Sequence, residues 1–296
     1  MNRKFLGNKY NNFMGYLLSA IICTFLYNLT MFMPITGFLL LVYKIKNVSI
    51  LDKKKWIIVN LLIFFFIGGF SIHLTSSNNI SVDLFDPESI QNLLAYILIF
   101  LPIELLYSIL NSRKFLIPVF DRIIITSLIV TATACIYLNF LHIDMEIVKN
   151  ILQQVDNLDK KKVAYVMSFI KNNKFYLIYT YVGLIIYLTY YSLGKRSYPY
   201  WRISYLWLIL YMVPFYLIKF AHINNIYLTN IMMIIKLSFV IYGIKTIYSF
   251  IRKRIKLDLL CHILAIIIGF NFQNITFIIA GILSFEAIKI RIIKQK

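Results

Sequence analysis

Ten apolar runs, joined by connections of which every inner one is basic, constrain this sequence more than any other feature. They cover residues 14–29, 32–45, 56–73, 90–111, 118–141, 174–193, 203–219, 226–250, 258–270 and 272–288. A helix needs about 20 residues to cross ~30 Å of hydrocarbon, and several of these runs approach or reach that length. The first two and the last two form stretches of about thirty residues, broken at Asn28 to Pro34 and at Gly269 to Asn274. Hydrophobic side chains make up 60% of the 296 residues and charged ones 15%. A soluble domain holds about 45–50% apolar residues, so a water-soluble fold is excluded. The expected fold is all-α: a polytopic transmembrane bundle of eight to ten segments, with residues 1–296 as a single integral membrane domain.

Charge placement supplies a topology. The net charge of +19 would suggest nucleic acid in a soluble domain. Here the basic residues cluster between apolar runs. Arg3, Lys4, Lys9; Lys44, Lys46, Lys53, Lys54, Lys55; Arg113, Lys114, Arg122; Lys195, Arg196, Arg202; Arg252, Lys253, Arg254, Lys256; and Lys289, Arg291, Lys294, Lys296 are 22 of the 31 Lys and Arg. Basic residues resist translocation and stay near anionic cytoplasmic lipid, which places these connections, and both termini, in the cytoplasm of a bacterial inner membrane. Asp83, Asp86, Glu88, Asp144, Glu146, Asp156 and Asp159 fall on the outer connections. Fusing either terminal stretch into one long helix puts a basic cluster on the wrong face, so each is read as a hairpin, either fully spanning or re-entrant. The expected environment is the lipid bilayer, with no nucleic-acid partner.

The one long polar connection, 142–173, is itself patterned. Ile147, Val148, Ile151, Leu152, Val155 and Leu158 recur at helical spacing opposite Lys149, Gln153, Gln154, Asp156 and Asp159. This predicts an extracytoplasmic amphipathic helix, with a second short helix carrying Val163, Val166, Phe169 and Ile170.

Ionisable residues at membrane depth are the candidate site, because a charge at the bilayer centre costs about 2.5–3.5 kcal/mol on insertion scales and needs a partner or a wet cavity. Glu104, Lys236 and Glu286 lie deep in their runs, and Lys236 could pair with either acid if their helices are neighbours. Glu104, Tyr107, Ser108 and Asn111 form one polar stripe. Asn230, Ser238, Tyr242 and Lys245 form another, from whose centre Lys236 points away. The residues allow two readings: a ligand or transport site built on Glu104, Lys236, Ser108, Asn230, Lys245 and Glu286, or interhelical hydrogen bonds that hold the bundle together.

No motif names a reaction. Gly194-Lys195-Arg196 lacks the other residues of a phosphate loop, and no His-Glu-x-x-His, Gly-x-Ser-x-Gly or Cys-x-x-Cys occurs. Cys23, Cys135 and Cys261 sit in separate apolar runs and give neither a disulfide framework nor a zinc spacing. His73, His142 and His222, at outer ends of segments, read as surface residues. The expectation is a non-enzymatic protein without cofactor, for which ATP-driven work requires another subunit.

Tyr200-Trp201-Arg202-Ile203-Ser204 entering a membrane segment, Asn230 followed by Gly243, and Gly281 before a closing acidic and basic tail resemble the YybS-like family of bacterial membrane proteins. The resemblance spans residues 140–296 and includes the amphipathic outer segment. That family has no established activity, and its fold looks like the substrate-binding subunits of energy-coupling-factor vitamin transporters. The resemblance implies a small-molecule-binding bundle serviced by separate ATPases or other membrane subunits. The alternative is a non-transport scaffold or assembly factor whose buried polar groups are structural.

Overall fold

The computed structural model describes residues 3–48, 50, 52–76, 87–111, 117–140 and 160–285. Among them there is no strand. The helices are α1 (Arg3–Phe32), α2 (Gly37–Asn47), α3 (Lys53–Ser76), α4 (Pro87–Ala95), α5 (Leu101–Leu110), α6 (Val119–Phe140), α7 (Lys160–Asn172), α8 (Lys174–Gly194), α9 (Leu206–Lys219), α10 (Ile226–Arg252), α11 (Asp258–Asn271) and α12 (Gln273–Ser284). Each of the ten apolar runs holds a helix among its described residues. The expected amphipathic helix at 147–158 lies outside the described residues, and so does Glu286. The second short helix of that connection is α7, with Val163 buried.

Among the described residues five stretches are long and apolar enough to cross a membrane: Phe13–Thr30, Ile90–Leu110, Val119–Leu138, Lys174–Tyr200 and Ile226–Arg252. The runs counted as separate segments at 32–45, 203–219, 258–270 and 272–288 are shorter. Helix α2 has 11 residues, and α9 and α11 have 14 each, which gives about 16 Å and 21 Å. Helices α11 and α12 meet at a bend of 104°.

The chain folds as two compact units, each assembled from separated stretches of sequence. The first comprises Met1–Phe115, Thr126–Ile143 and Leu184–Leu193; the second comprises Leu116–Ile125, Asp144–Gly183 and Gly194–Lys296. In the first unit α1 packs against α2 and α3, α3 against α4, and α2 against α5. Pro34 opens a 3-10 turn, Pro34–Thr36, that separates α1 from α2; fixed φ and a missing N–H suit a first turn and cannot continue a helix. Between α4 and α5 the chain makes a π turn, Tyr96–Phe100. Pro102 explains it. An α-helix would have residue 102 donate to the Leu98 carbonyl, but proline has no N–H and its ring crowds that carbonyl. The Thr133 hydroxyl donates to the Leu98 carbonyl at 2.6 Å instead, and the Tyr27 hydroxyl donates to the Asn92 carbonyl at 2.5 Å. A side chain from α6 therefore serves the carbonyl that Pro102 leaves without its donor.

In the second unit α10 is the central post, packed against α9, α11 and α12. Two glycines set the approach. A Cβ on Gly243 of α10 would overlap the Thr276 side chain and lie 2.8 Å from its carbonyl oxygen, and a Cβ on Gly269 of α11 would overlap the Ile244 side chain. Small residues at such crossings let backbones meet where lipid offers no hydrophobic drive for association.

Candidate functional site

In the first unit Glu104, in the first turn of α5, is buried and pairs with Lys44, in the last turn of α2. The Lys44 ammonium lies 2.5 Å from Glu104 Oε2, and both side chains are 1% exposed. The same ammonium donates to Asn60 Oδ1 at 2.8 Å and to the Tyr96 hydroxyl at 2.6 Å. Tyr96 in turn donates to Asn60 Oδ1 at 2.9 Å, and the Asn60 amide donates to the Trp56 carbonyl at 2.7 Å. The Trp56 indole N–H donates to Glu104 Oε1 at 2.9 Å. The ammonium thus donates to two neutral acceptors and Glu104 Oε1 accepts from the indole, while Glu104 Oε2 meets the ammonium as an ion pair without hydrogen-bond geometry. The site is electrically neutral and closed.

The π turn helps place it. Tyr96 is the first residue of that turn and is fully buried. Its ring stands edge-on to Tyr27 at 5.4 Å and to Phe64 at 5.5 Å, and the Lys44 ammonium sits 5.0 Å from its centre. Such edge-to-face and cation–π contacts fix the hydroxyl where two polar groups need it. Burying two charges costs several kcal/mol each, and their attraction offsets this only when the remaining hydrogen bonds are made. Here Asn60, Tyr96 and Trp56 make all but the one at Glu104 Oε2, and the pair ties α2, α3 and α5 and the π turn together.

Sequence reading identified Glu104 but not Lys44, Trp56, Asn60 or Tyr96. Glu104 is not partnered by Lys236, which belongs to the second unit and donates to Asn274 Oδ1 at 2.8 Å. Ser108 lies half-buried on α5, one turn beyond Glu104.

The stripe Asn230, Ser238, Tyr242 and Lys245 is buried and internal to the second unit. Asn230 donates to the Asn172 carbonyl at 2.9 Å and accepts from the Tyr176 N–H at 3.0 Å, serving the break between α7 and α8. Ser238 and the Tyr179 hydroxyl are 2.8 Å apart. Tyr242 packs edge-on to Phe120 at 5.2 Å. The Lys245 ammonium donates to the carbonyls of Pro199 and Trp201 at 2.7 and 3.0 Å. Just beyond the end of α10, Asp258 accepts from the Tyr248 hydroxyl at 2.5 Å and bridges to Lys195 at 2.9 Å. Among the described residues no group of His, Cys, Asp and Glu could hold a metal ion.

These features define a polytopic α-helical membrane protein that buries polar side chains inside its helix packing. Compared with protein-family models, curated proteins and solved structures, the chain has no match.

Proposed function

We propose that this chain is a non-enzymatic inner-membrane scaffold or assembly subunit, with its basic connections and both termini in the cytoplasm, and that its buried charges hold its shape. The observation that supports this reading is the closure of the Lys44–Glu104 pair: at 1% exposure, with Asn60, Tyr96 and Trp56 packed around it, it leaves no face for a solute. A carrier site needs charges that water or ligand reaches. A scaffold needs charges that fix helices against one another, which this pair does for α2, α3 and α5. Without an energy-coupling motif in the sequence, the chain works alongside partner proteins in the bilayer.

The resemblance to the YybS-like family favours a second reading, a small-solute-binding subunit. One observation supports it: Lys236, half-buried on α10, lies beside the exposed polar bend of α11 and α12. Native mass spectrometry of the protein extracted in mild detergent separates the two. The scaffold reading expects a stoichiometric protein partner and no retained small molecule. A stoichiometric small molecule that is lost on Lys236→Gln supports the second reading and overturns the first.

A further inference from the structure

Helix α11 starts beside the end of α10, where Asp258 meets Tyr248 and Arg252, and runs back along α10 until Gly269 meets Ile244. There the chain bends by 104°. Helix α12 then places Thr276 against Gly243, Phe277 against Phe239 at 5.7 Å and Phe285 against Tyr205 at 5.5 Å. The bend therefore lies near residues 239–244, about halfway along a helix of 27 residues, or about 20 Å from either end. The tip therefore lies level with the middle of α10, a bend that fits a broken span or a re-entrant loop.

The tip is polar and uncovered. Asn271, Gln273 and Asn274 are exposed, and Asn274 accepts from Lys236. Among the described residues no carboxylate lies within ion-pair distance of Lys236. Three carboxamides and an ammonium facing acyl chains would each carry a desolvation penalty, and irregular backbone at membrane depth is tolerated only in protein or along a water-filled cavity. Beyond the tip, α10 continues by ten residues to Ile226, and α9 passes the level of Phe277 at Tyr211, 4.8 Å away, before ending at Lys219. On that side of the tip the two helices continue packed together, and we call the space beside them, above the tip, a notch.

We propose that this notch is a water-filled vestibule opening on the side where α10 begins, and that Lys236 with the tip carboxamides binds a small anion there, a carboxylate or a phosphate. The ammonium carries the one formal charge at the floor, and the carboxamides supply further N–H donors. The proposal does not rest on the scaffold reading, because it concerns a different unit of the chain.

The test uses full-length protein in membranes with Cys23, Cys135 and Cys261 changed to Ala, and single cysteines at Phe272 and Gln273, which leave the Lys236–Asn274 bond in place. Ile223→Cys, in the exposed α9–α10 connection, is the wet reference, and Ile266→Cys, on the exposed apolar face of α11, is the lipid-facing one. The expected result is labelling of both tip cysteines by membrane-impermeant methanethiosulfonates, as at Ile223→Cys and unlike Ile266→Cys. A −1 reagent should react faster than a neutral one by about fivefold, for a unit charge about 4 Å away in water, and Lys236→Gln should abolish that preference. Inorganic phosphate should slow the reaction only while Lys236 is present. Tip cysteines as inert as Ile266→Cys overturn the vestibule, as does labelling that appears only after detergent extraction, which would mean that a partner protein covers the tip. Labelling without charge preference or phosphate protection overturns the anion site.

Discussion

Removing either member of the Lys44–Glu104 pair should destabilise the protein far more than removing both. Glu104→Gln keeps the Trp56 hydrogen bond but leaves an ammonium that is 1% exposed with neutral acceptors only. Lys44→Met leaves a carboxylate with one indole N–H. Breaking a buried pair in this way costs about 3–5 kcal/mol, because the remaining charge loses its compensation. Interhelical hydrogen bonds between neutral groups in membranes average about 0.6 kcal/mol and reach about 1.7, so the charge accounts for most of the loss. The double variant Lys44→Met, Glu104→Leu removes both charges and fills the space with apolar atoms. It should recover to within about 2 kcal/mol of the parent, since well-packed apolar replacements of buried pairs are often neutral. The assay is reversible unfolding in mixed detergent micelles with increasing dodecyl sulfate, run as a double-mutant cycle. Single losses below about 1 kcal/mol, or additive losses in the double variant, refute the reasoning.

Three further outcomes follow from the packing. Gly243→Ala should cost about 1–3 kcal/mol by overpacking and resist rescue by Thr276→Ser, because the Thr276 carbonyl stays in the way; Gly269→Ala should be rescued by Ile244→Ala, because its obstacle is a side chain, and the same unfolding assay reads both. Thr133→Val should cost about 1 kcal/mol by stranding the Leu98 carbonyl, and that cost should shrink in a Pro102→Ala background, where residue 102 regains an N–H. Alkaline phosphatase fused after Lys55 or after Lys256 should be inactive and a fluorescent protein at the same sites should fluoresce; active phosphatase at either site contradicts the proposed orientation.

The helices were legible because the apolar runs are bounded by charged or polar breaks, and Glu104 stood out because an acid inside such a run has few bland explanations. Its partner did not stand out. Lys44 sits two residues before Lys46 and near Lys53 to Lys55, so it reads as one more interfacial cation, and no spacing links residues 44 and 104. The signal that was present is Asn60: a carboxamide deep in the third apolar run needs a polar neighbour, and Lys44 and Tyr96 are what it finds. The π turn had its signal too, in Pro102 within a run too long to end there. The stop of α11 at Asn271 was marked by Gly269 to Asn274, yet whether a hairpin crosses or returns depends on where its tip meets α10. That follows from contacts such as Gly269 with Ile244, which no local pattern encodes.

The central claim is that the Lys44 ammonium is sealed inside the protein. Lysine footprinting with an amine-reactive ester on the detergent-solubilised protein, read by mass spectrometry, measures this directly, with the exposed Lys46, Lys53 and Lys54 as internal standards. The account predicts that Lys44 stays unmodified while all three standards react, and that Glu104→Gln raises Lys44 labelling. Modification of Lys44 in the parent protein at a rate comparable to Lys46 would contradict it.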